Sequence, residues 1–154
     1  MYPQAFIDYL IYFHAERDYF ECHEVLEHYW KTHGKEKIWA GLIQLAVAMY
    51  HYRRHNYNGA LTLIKKSYSI LAEEELENLG FNKTVFLRKV KEMSEQIAHK
   101  LPYQDMNLPI ADVSLYERCL QICQDKGLVW QKPSDLQNEF LIHKHIRRRK
   151  KKET

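Results

Sequence analysis

The sequence predicts an all-α protein, an antiparallel bundle of about five helices with a C-terminal helical extension. Three observations favour this fold class. No proline occurs between Pro3 and Pro102, so long helices are permitted throughout that span. Apolar residues recur at helical spacing in successive segments, and no segment alternates as a half-buried strand would. Gly34, Gly80 and Gly127 each follow a helix-like segment, as glycines at helix C-termini do.

Composition and charge limit the class of protein. With 154 residues, 45% hydrophobic and 28% charged, the chain has the size and composition of one globular domain. Its net charge of +3 arises at the end, where seven of the nine residues 144–152 are Lys or Arg. Without these residues and Glu153 the remainder carries −3. The folded part therefore gives no indication of a nucleic-acid surface.

The cysteines and the first residues favour the cytoplasm. Cys22, Cys119 and Cys123 are odd in number and widely spaced, which suits a reducing compartment rather than a disulfide framework. The first residues lack the basic region and cleavage site of a signal peptide. No apolar run approaches the roughly 18 residues that a membrane span needs. We therefore expect a cytoplasmic protein with no membrane partner.

The first three helices are predicted from the apolar pattern. The first is expected over about residues 3–17 and the second over about residues 18–33, where Cys22 and Leu26 lie on the core side. The third, over about residues 35–55, is apolar on nearly every side. Such a pattern is typical of a buried central helix.

The fourth and fifth helices complete the predicted bundle core, residues 1–101. The fourth is predicted to begin near Asn56 or Asn58. The fifth is predicted to begin after Asn82. Its apolar residues form one stripe at helical spacing, Phe86, Val90, Met93, Ile97 and Leu101.

The composition changes after residue 101. Two prolines bracket a loop, and the apolar spacing then indicates a sixth, shorter helix. Ser134 followed by Gln137 matches a capping box, which predicts a seventh helix from about Asp135. We assign residues 102–146 to a C-terminal helical extension packed on the same domain. Residues 147–154 are predicted to be a basic, disordered tail.

The second predicted helix carries the densest group of ionisable side chains. On a helical wheel of roughly 100° per residue, His23 and Glu27 lie together at the edge of the core face, flanked by Trp30. Glu24 and His28 point away and are expected to be solvated. Because carboxylates act as general acids or bases, Glu24 and Glu27 are the candidate catalytic residues.

The third predicted helix supplies matching polar residues. Gln44 and His51 lie two turns apart on one stripe of an otherwise apolar helix. A buried polar group without a partner costs ~1–3 kcal/mol, so these side chains need partners that the second helix can provide. The sequence therefore predicts a binding cluster between the two helices, made up of His23, Glu27, Trp30, Gln44 and His51.

These residues form two motifs that resemble a known family. The pattern H-E-x-x-E-x-x-W, followed by G-L-I-Q-x-A-x-A-x-x-H, is similar to that of the bacterial and archaeal family known as domain of unknown function 309. The resemblance covers roughly residues 5–101 and leaves the C-terminal residues outside it. The chain departs from the family pattern at Cys22, where Ala is more usual, and at His55, where Gly is commoner.

This resemblance implies a small all-α fold and no established activity. It also implies site positions in this chain at His23, Glu24, Glu27, Trp30, Gln44 and His51.

Two functions remain open for the cluster. The first is an interaction module or a module that binds a small, unidentified ligand. The chain favours it because it has no Gly-rich phosphate loop and no serine or cysteine nucleophile signature. The second is a hydrolase-like enzyme, acid/base or metal-dependent. Two histidines and one carboxylate suit Zn, Fe or Mn, with His23, Glu27 and His51 as ligands. A hydrogen-bond network that fixes the helix register is the simpler interpretation.

A third function would use the end of the chain. An RNA-associated protein would bind phosphates through the basic tail, and a solubilising terminus is the alternative. The candidate residues are Arg147, Arg148, Arg149, Lys150, Lys151 and Lys152.

The aromatic content predicts self-association. Aromatic residues make up 13% of the chain, and five helices cannot bury all of them on their inner faces. An exposed aromatic patch is therefore expected. A symmetric homodimer is the commonest use of such a patch, and tyrosines half covered at the bundle edge are the alternative. The residues expected in the patch are Trp39, Tyr50, Tyr52, Tyr57 and Tyr68.

Overall fold

The computed structural model describes residues 1–146 and is all-helical, which confirms the predicted fold class. Within this range there is no strand, only an isolated bridge between Phe81 and Ile110. The helices are α1 (Gln4–Ile11), α2 (Tyr19–Thr32), α3 (Lys37–Arg53), α4 (Tyr57–Ala72), α5 (Lys83–Ala98), α6 (Val113–Lys126) and α7 (Glu139–Ile142). A short 3-10 helix, Leu76–Leu79, joins α4 to α5.

The first predicted helix changes its form before Arg17. A π-helical turn, Tyr12–Glu16, follows α1, and Arg17 then adopts a left-handed conformation with φ 52°. This conformation ends the helical run, because non-glycine residues occupy it only singly. Asp18 then begins α2 by accepting the backbone N–H of Glu21.

The central helix is α3, as its apolar pattern predicts. It packs against both α2 and α4. Gly41 is the point of close approach to α4, where the Ser67 hydroxyl donates to the Gly41 carbonyl oxygen over 2.7 Å. Asn56 caps the start of α4 by accepting the backbone N–H of Gly59. The interior of the molecule therefore forms around α3.

The predicted capping box at Ser134 is wrong. The backbone N–H and the hydroxyl of Ser134 both donate to the Asp105 carboxylate, over 2.7 and 2.5 Å. The last helix begins instead at Glu139. Asn138 caps it by accepting the N–H of Leu141 over 3.1 Å. A long-range carboxylate thus replaces the local partner that a capping box would supply.

Most of the aromatic residues expected in an exposed patch are covered. Trp39, Tyr50 and Tyr52 are buried, with exposed fractions of 5%, 4% and 0%. The Tyr52 hydroxyl donates to two backbone carbonyls of the segment that follows α5. Tyr57 and Tyr68 are partly buried. The homodimer stays a prediction, but the patch from which it was inferred does not form as expected.

The predicted basic tail, which contains the candidate nucleic-acid residues from Arg147 to Lys152, lies outside the described residues.

In the described part of the chain, each helix is too short or too polar to cross a membrane.

Candidate functional site

A surface groove lies between α2, α3 and α4, and its floor is one face of α3. Ala40, Gln44, Val47 and His51 follow one another along this face, and all four are half-buried. The groove has a volume of about 270 Å³. Its lining residues are His23, Glu27, Trp30, Ala40, Ile43, Gln44, Val47 and Leu63.

A second cavity adjoins the groove and shares His23 and Val47 with it. This cavity has a volume of about 170 Å³. Tyr50, His51 and His145 are among its other lining residues. His51 therefore belongs to the cavity, while Gln44 belongs to the groove.

His23 and Glu27 contact each other on the wall of the groove. The Nε2 atom of His23 lies in direct contact with Glu27 Oε2. The other carboxylate oxygen of Glu27 lies 2.9 Å from Lys31 Nζ. The side chains of His23 and Glu27 are each 30% exposed, so solvent reaches both.

The other two ionisable residues of the motif lie outside the groove lining. Glu24 is exposed, and its carboxylate lies 3.8 Å from His23 Nδ1. His28 is exposed as well. Of the two candidate catalytic carboxylates, only Glu27 lines the groove.

Two buried polar atoms of groove residues have no hydrogen-bond partner within the described residues. One is the indole Nε1 of Trp30, a donor, and the other is the side-chain oxygen of Gln44, an acceptor. Each unpaired buried group costs about 1–3 kcal/mol. The groove residues therefore retain one unused donor and one unused acceptor.

His51 is held as a neutral imidazole. Its pKa is lowered by burial first, and then by the positive charge of Arg54 and by His145. Its Nδ1 atom lies 3.2 Å from the amide nitrogen of Asn56, which can donate to it. An imidazole with a lowered pKa is unprotonated at neutral pH.

The candidate metal ligands are not brought together. Across residues 1–146, no three His, Cys, Asp or Glu side chains are grouped so that they could hold a metal ion. His23 contacts Glu27 and also shares the neighbouring cavity with His51, but Glu27 does not line that cavity and His51 Nδ1 lies beside Asn56. The arrangement expected for Zn, Fe or Mn is thus absent from this part of the chain.

The structure also holds a buried arginine cluster, which sequence reasoning missed. Arg17 and Arg53 are each only 2% exposed. The Arg17 guanidinium donates to the backbone oxygens of Met106 and Lys132 over 2.9 and 2.8 Å. Arg53 donates to the Arg17 carbonyl oxygen over 2.7 Å. The sequence did contain one signal that Arg53 is buried. Arg53 lies four residues after Met49, on the same buried face of α3.

Asp105 supplies the carboxylate of this cluster. Its oxygen lies 3.9 Å from Arg17 Nε. Burial raises the pKa of Asp105, but hydrogen bonds from Ser134 and Tyr103 and the charge of Arg17 outweigh that effect, so the pKa is lowered overall. Asp105 is therefore ionised at neutral pH.

Comparison with known proteins extends the likeness beyond the motifs. The family model described as Domain of unknown function (DUF309) matches residues 6–63, a narrower range than the predicted 5–101. The chain is also 48% identical over 150 residues to "Uncharacterized protein YpuF" of Bacillus subtilis (strain 168), covering 94% of this chain and 86% of that protein. This second likeness includes the C-terminal extension, which the predicted resemblance left out. No solved structure matches the chain significantly. The chain belongs to the family described as domain of unknown function 309.

Proposed function

We propose that this chain is a helical module that binds a small ligand in the groove between α2, α3 and α4. The observation that carries the proposal is the pair of unused polar groups, Trp30 Nε1–H and Gln44 Oε1. Both residues line one groove, and a ligand that pairs with these atoms removes the cost of leaving them unsatisfied.

The groove defines the chemistry of the ligand. An acceptor is needed for Trp30 Nε1–H and a donor for Gln44 Oε1, and an amide group carries both. The remaining lining from Ala40, Val47 and Leu63 suits an apolar body. A volume of about 270 Å³ lies just below the usual range for drug-sized ligands, which favours a small molecule.

The contact between His23 and Glu27 favours a second candidate function. A carboxylate beside an imidazole on the wall of a groove can accept and return a proton, which is the arrangement of a general acid/base pair. Glu27 is the residue that we assign to this role, because Glu24 does not line the groove. This candidate would make the bound ligand a substrate.

We also infer a cytoplasmic location. Cys22, Cys119 and Cys123 are free and buried. Free cysteines are typical of proteins from reducing compartments, which supports this inference.

The ligand proposal is tested by nuclear magnetic resonance on the full chain. The three indole N–H signals are recorded while small amides, lactams and matched esters are added, and Trp30→Phe identifies the Trp30 signal. We expect an amide-containing fragment to shift the Trp30 signal. The matched ester should bind less well because it lacks the donor for Gln44.

A paired substitution tests the geometry. Gln44→Leu should weaken fragment binding by about tenfold, because one hydrogen bond contributes ~1 kcal/mol or more. Gln121→Leu, on the exposed part of α6, is the matched control and should bind as the parent chain does. Amides that leave the Trp30 signal unmoved, or equal binding in the two variants, would contradict the proposal.

A further inference from the structure

A separate cavity of about 340 Å³ lies between the end of α3 and the C-terminal extension. We call it the arginine cavity. Its lining from the end of α3 includes Arg53, Arg54 and His55, and its lining around α7 includes Glu139 and His143. Basic groups therefore dominate its ionisable lining.

The Arg53 guanidinium uses only part of its hydrogen-bonding capacity. Its Nη1 atom donates to the Arg17 carbonyl oxygen over 2.7 Å and to the Ser134 hydroxyl over 3.0 Å. One face of the group lies 4.5 Å from the centre of the Tyr19 ring. Within the described residues, however, its Nε and Nη2 atoms are buried and have no partner.

These two unused atoms form one edge of the guanidinium. Their N–H bonds point in nearly the same direction, which is the geometry that binds two oxygens of a carboxylate or a phosphate. An unpaired charged donor in a buried site is more costly than a neutral one. The guanidinium therefore presents two rigid donors that suit an oxyanion. Residues 1–146 supply no oxygen that pairs with either of them.

The charge around Arg53 supports the same ligand. Neither Arg53 nor Arg54 forms an ion pair with a carboxylate in the described part of the chain. Arg54 instead lies over the Tyr50 ring, 5.8 Å from its centre. Two fixed positive charges therefore lie at the end of α3, so an entering anion is attracted to the cavity.

We propose that the arginine cavity is a binding site for a small oxyanion, a carboxylate or a phosphate. The unused edge of Arg53 binds two oxygens of the anion, and Arg54 provides the second positive charge. The edge itself is shielded from solvent, so the anion enters past the cavity lining. Leu136 is part of that lining and is 55% exposed, which leaves its side chain room to turn aside.

This site is independent of the ligand groove. Arg53 and Arg54 line the arginine cavity and are not among the groove residues. A substitution at Arg54 therefore tests the oxyanion site and leaves Trp30 and Gln44 unchanged.

The test is a titration of the full chain followed through the Nε–H signal of Arg53. Inorganic phosphate and acetate are added separately, at constant ionic strength set with sodium chloride. We expect a saturable shift of the Arg53 signal with at least one of them. A shift with phosphate alone identifies a phosphate site, and a shift with acetate alone identifies a carboxylate site.

Two variants separate this site from general attraction to positive charge. Arg54→Gln should weaken the anion affinity by about fivefold or more, since it removes one of two fixed charges but none of the bonds of Arg53. Arg88→Gln, at an exposed arginine of α5, is the control and should leave the affinity unchanged. An Arg53 signal that does not move, or that moves equally with chloride, overturns the proposal. So does an equal loss of affinity in the two variants.

Discussion

At the scale of single residues, His14 shows how burial determines a charge state. Its imidazole is fully buried. The Nε2 atom accepts the backbone N–H of Leu108 over 2.9 Å, so Nδ1 carries the hydrogen and donates to the Leu10 carbonyl oxygen. The ring also stacks on Trp130, with centroids 4.5 Å apart. Both ring nitrogens are thus used by the neutral form, and burial lowers the pKa of His14 to about 3.

This pKa predicts that the protein loses stability in mild acid. Above the ordinary pKa of 6.5, folded and unfolded His14 are both neutral and make no difference to stability. Between about 6.5 and about 3, only the unfolded chain binds the proton, so the free energy of unfolding falls as the pH falls. The loss approaches ~1.4 kcal/mol per pH unit from this one group. Urea denaturation at pH 7 and pH 5 measures it.

A matched pair of histidine variants isolates this contribution. His14→Gln removes this ionisable group and should make stability depend less steeply on pH between 7 and 5, whatever the substitution costs at pH 7. His28→Gln changes an exposed histidine and should leave the dependence as it is. Equal pH dependence in the parent chain and His14→Gln would show that another group is responsible.

At the scale of the helices, the contact of α3 with α4 depends on Gly41. A Cβ atom added there would lie 2.6 Å from Leu71 Cδ2 and 3.2 Å from Ile70 Cγ2. Leu71 is fully buried, so it cannot move aside freely. Overpacking costs about 1–3 kcal/mol, whereas alanine gains ~0.5–1 kcal/mol over glycine in a helix, so Gly41→Ala should destabilise the protein by up to about 2 kcal/mol. Thermal or urea denaturation provides the measurement.

The control for helix propensity is Ser69→Ala on the exposed face of α4. It should change stability by no more than about 0.5 kcal/mol. A Gly41→Ala variant as stable as Ser69→Ala would mean that the two helices can separate without cost, and would contradict the packing argument.

The long helices were predictable and the C-terminal extension was less so, for a physical reason. Helices α2, α4 and α5 repeat a helical apolar pattern over several turns, and α3 is apolar on nearly every side; both features are visible in the sequence. The seventh helix is only four residues long, so its start depends on a few local bonds. Ser134 carries a local capping signal but bonds to Asp105, 29 residues away. Sequence patterns do not contain such a partner.

At the scale of the whole molecule, the candidate sites also combine features that a local sequence pattern predicts with features that depend on distant contacts. The helical period places His23 beside Glu27 and puts Gln44 on the face of α3 that forms the groove floor. It does not specify where one cavity ends and the next begins, and His51, two turns beyond Gln44 on the same face, lines the adjoining cavity together with His23. The arginine cluster requires contacts between Arg17 and residues more than 80 positions away, which no local pattern reveals.

The oligomeric state is a prediction for the whole molecule. The exposed large apolar residues within the described chain, apart from Met1, all lie after residue 100. Val129 and Phe140, which are 65% and 57% exposed, line the same surface cavity. If this surface forms the predicted homodimer, light scattering at micromolar concentration gives twice the mass of 18.6 kDa, and Phe140→Ser lowers it. The monomer mass in the parent chain would contradict the prediction.

The C-terminal extension completes the interior of the bundle, so its removal should unfold the protein. Residues 102–146 supply the Leu108 N–H that bonds His14, and the backbone oxygens of Met106 and Lys132 that bond Arg17. Without them, a buried guanidinium and a buried imidazole lose their partners, at ~1–3 kcal/mol for each unsatisfied group and more for a charged one. The whole domain is stabilised by only about 5–15 kcal/mol.

We therefore expect a chain that ends at residue 101 to lose cooperative unfolding in urea. Near-ultraviolet circular dichroism measures the transition. A chain that ends at residue 146 is the control, because it keeps every contact named above and lacks only the predicted tail. It should keep a cooperative unfolding transition in urea, as the full chain does. A sharp transition for the shorter chain, at a similar urea concentration, would mean that α1 to α5 satisfy their buried polar groups without the extension.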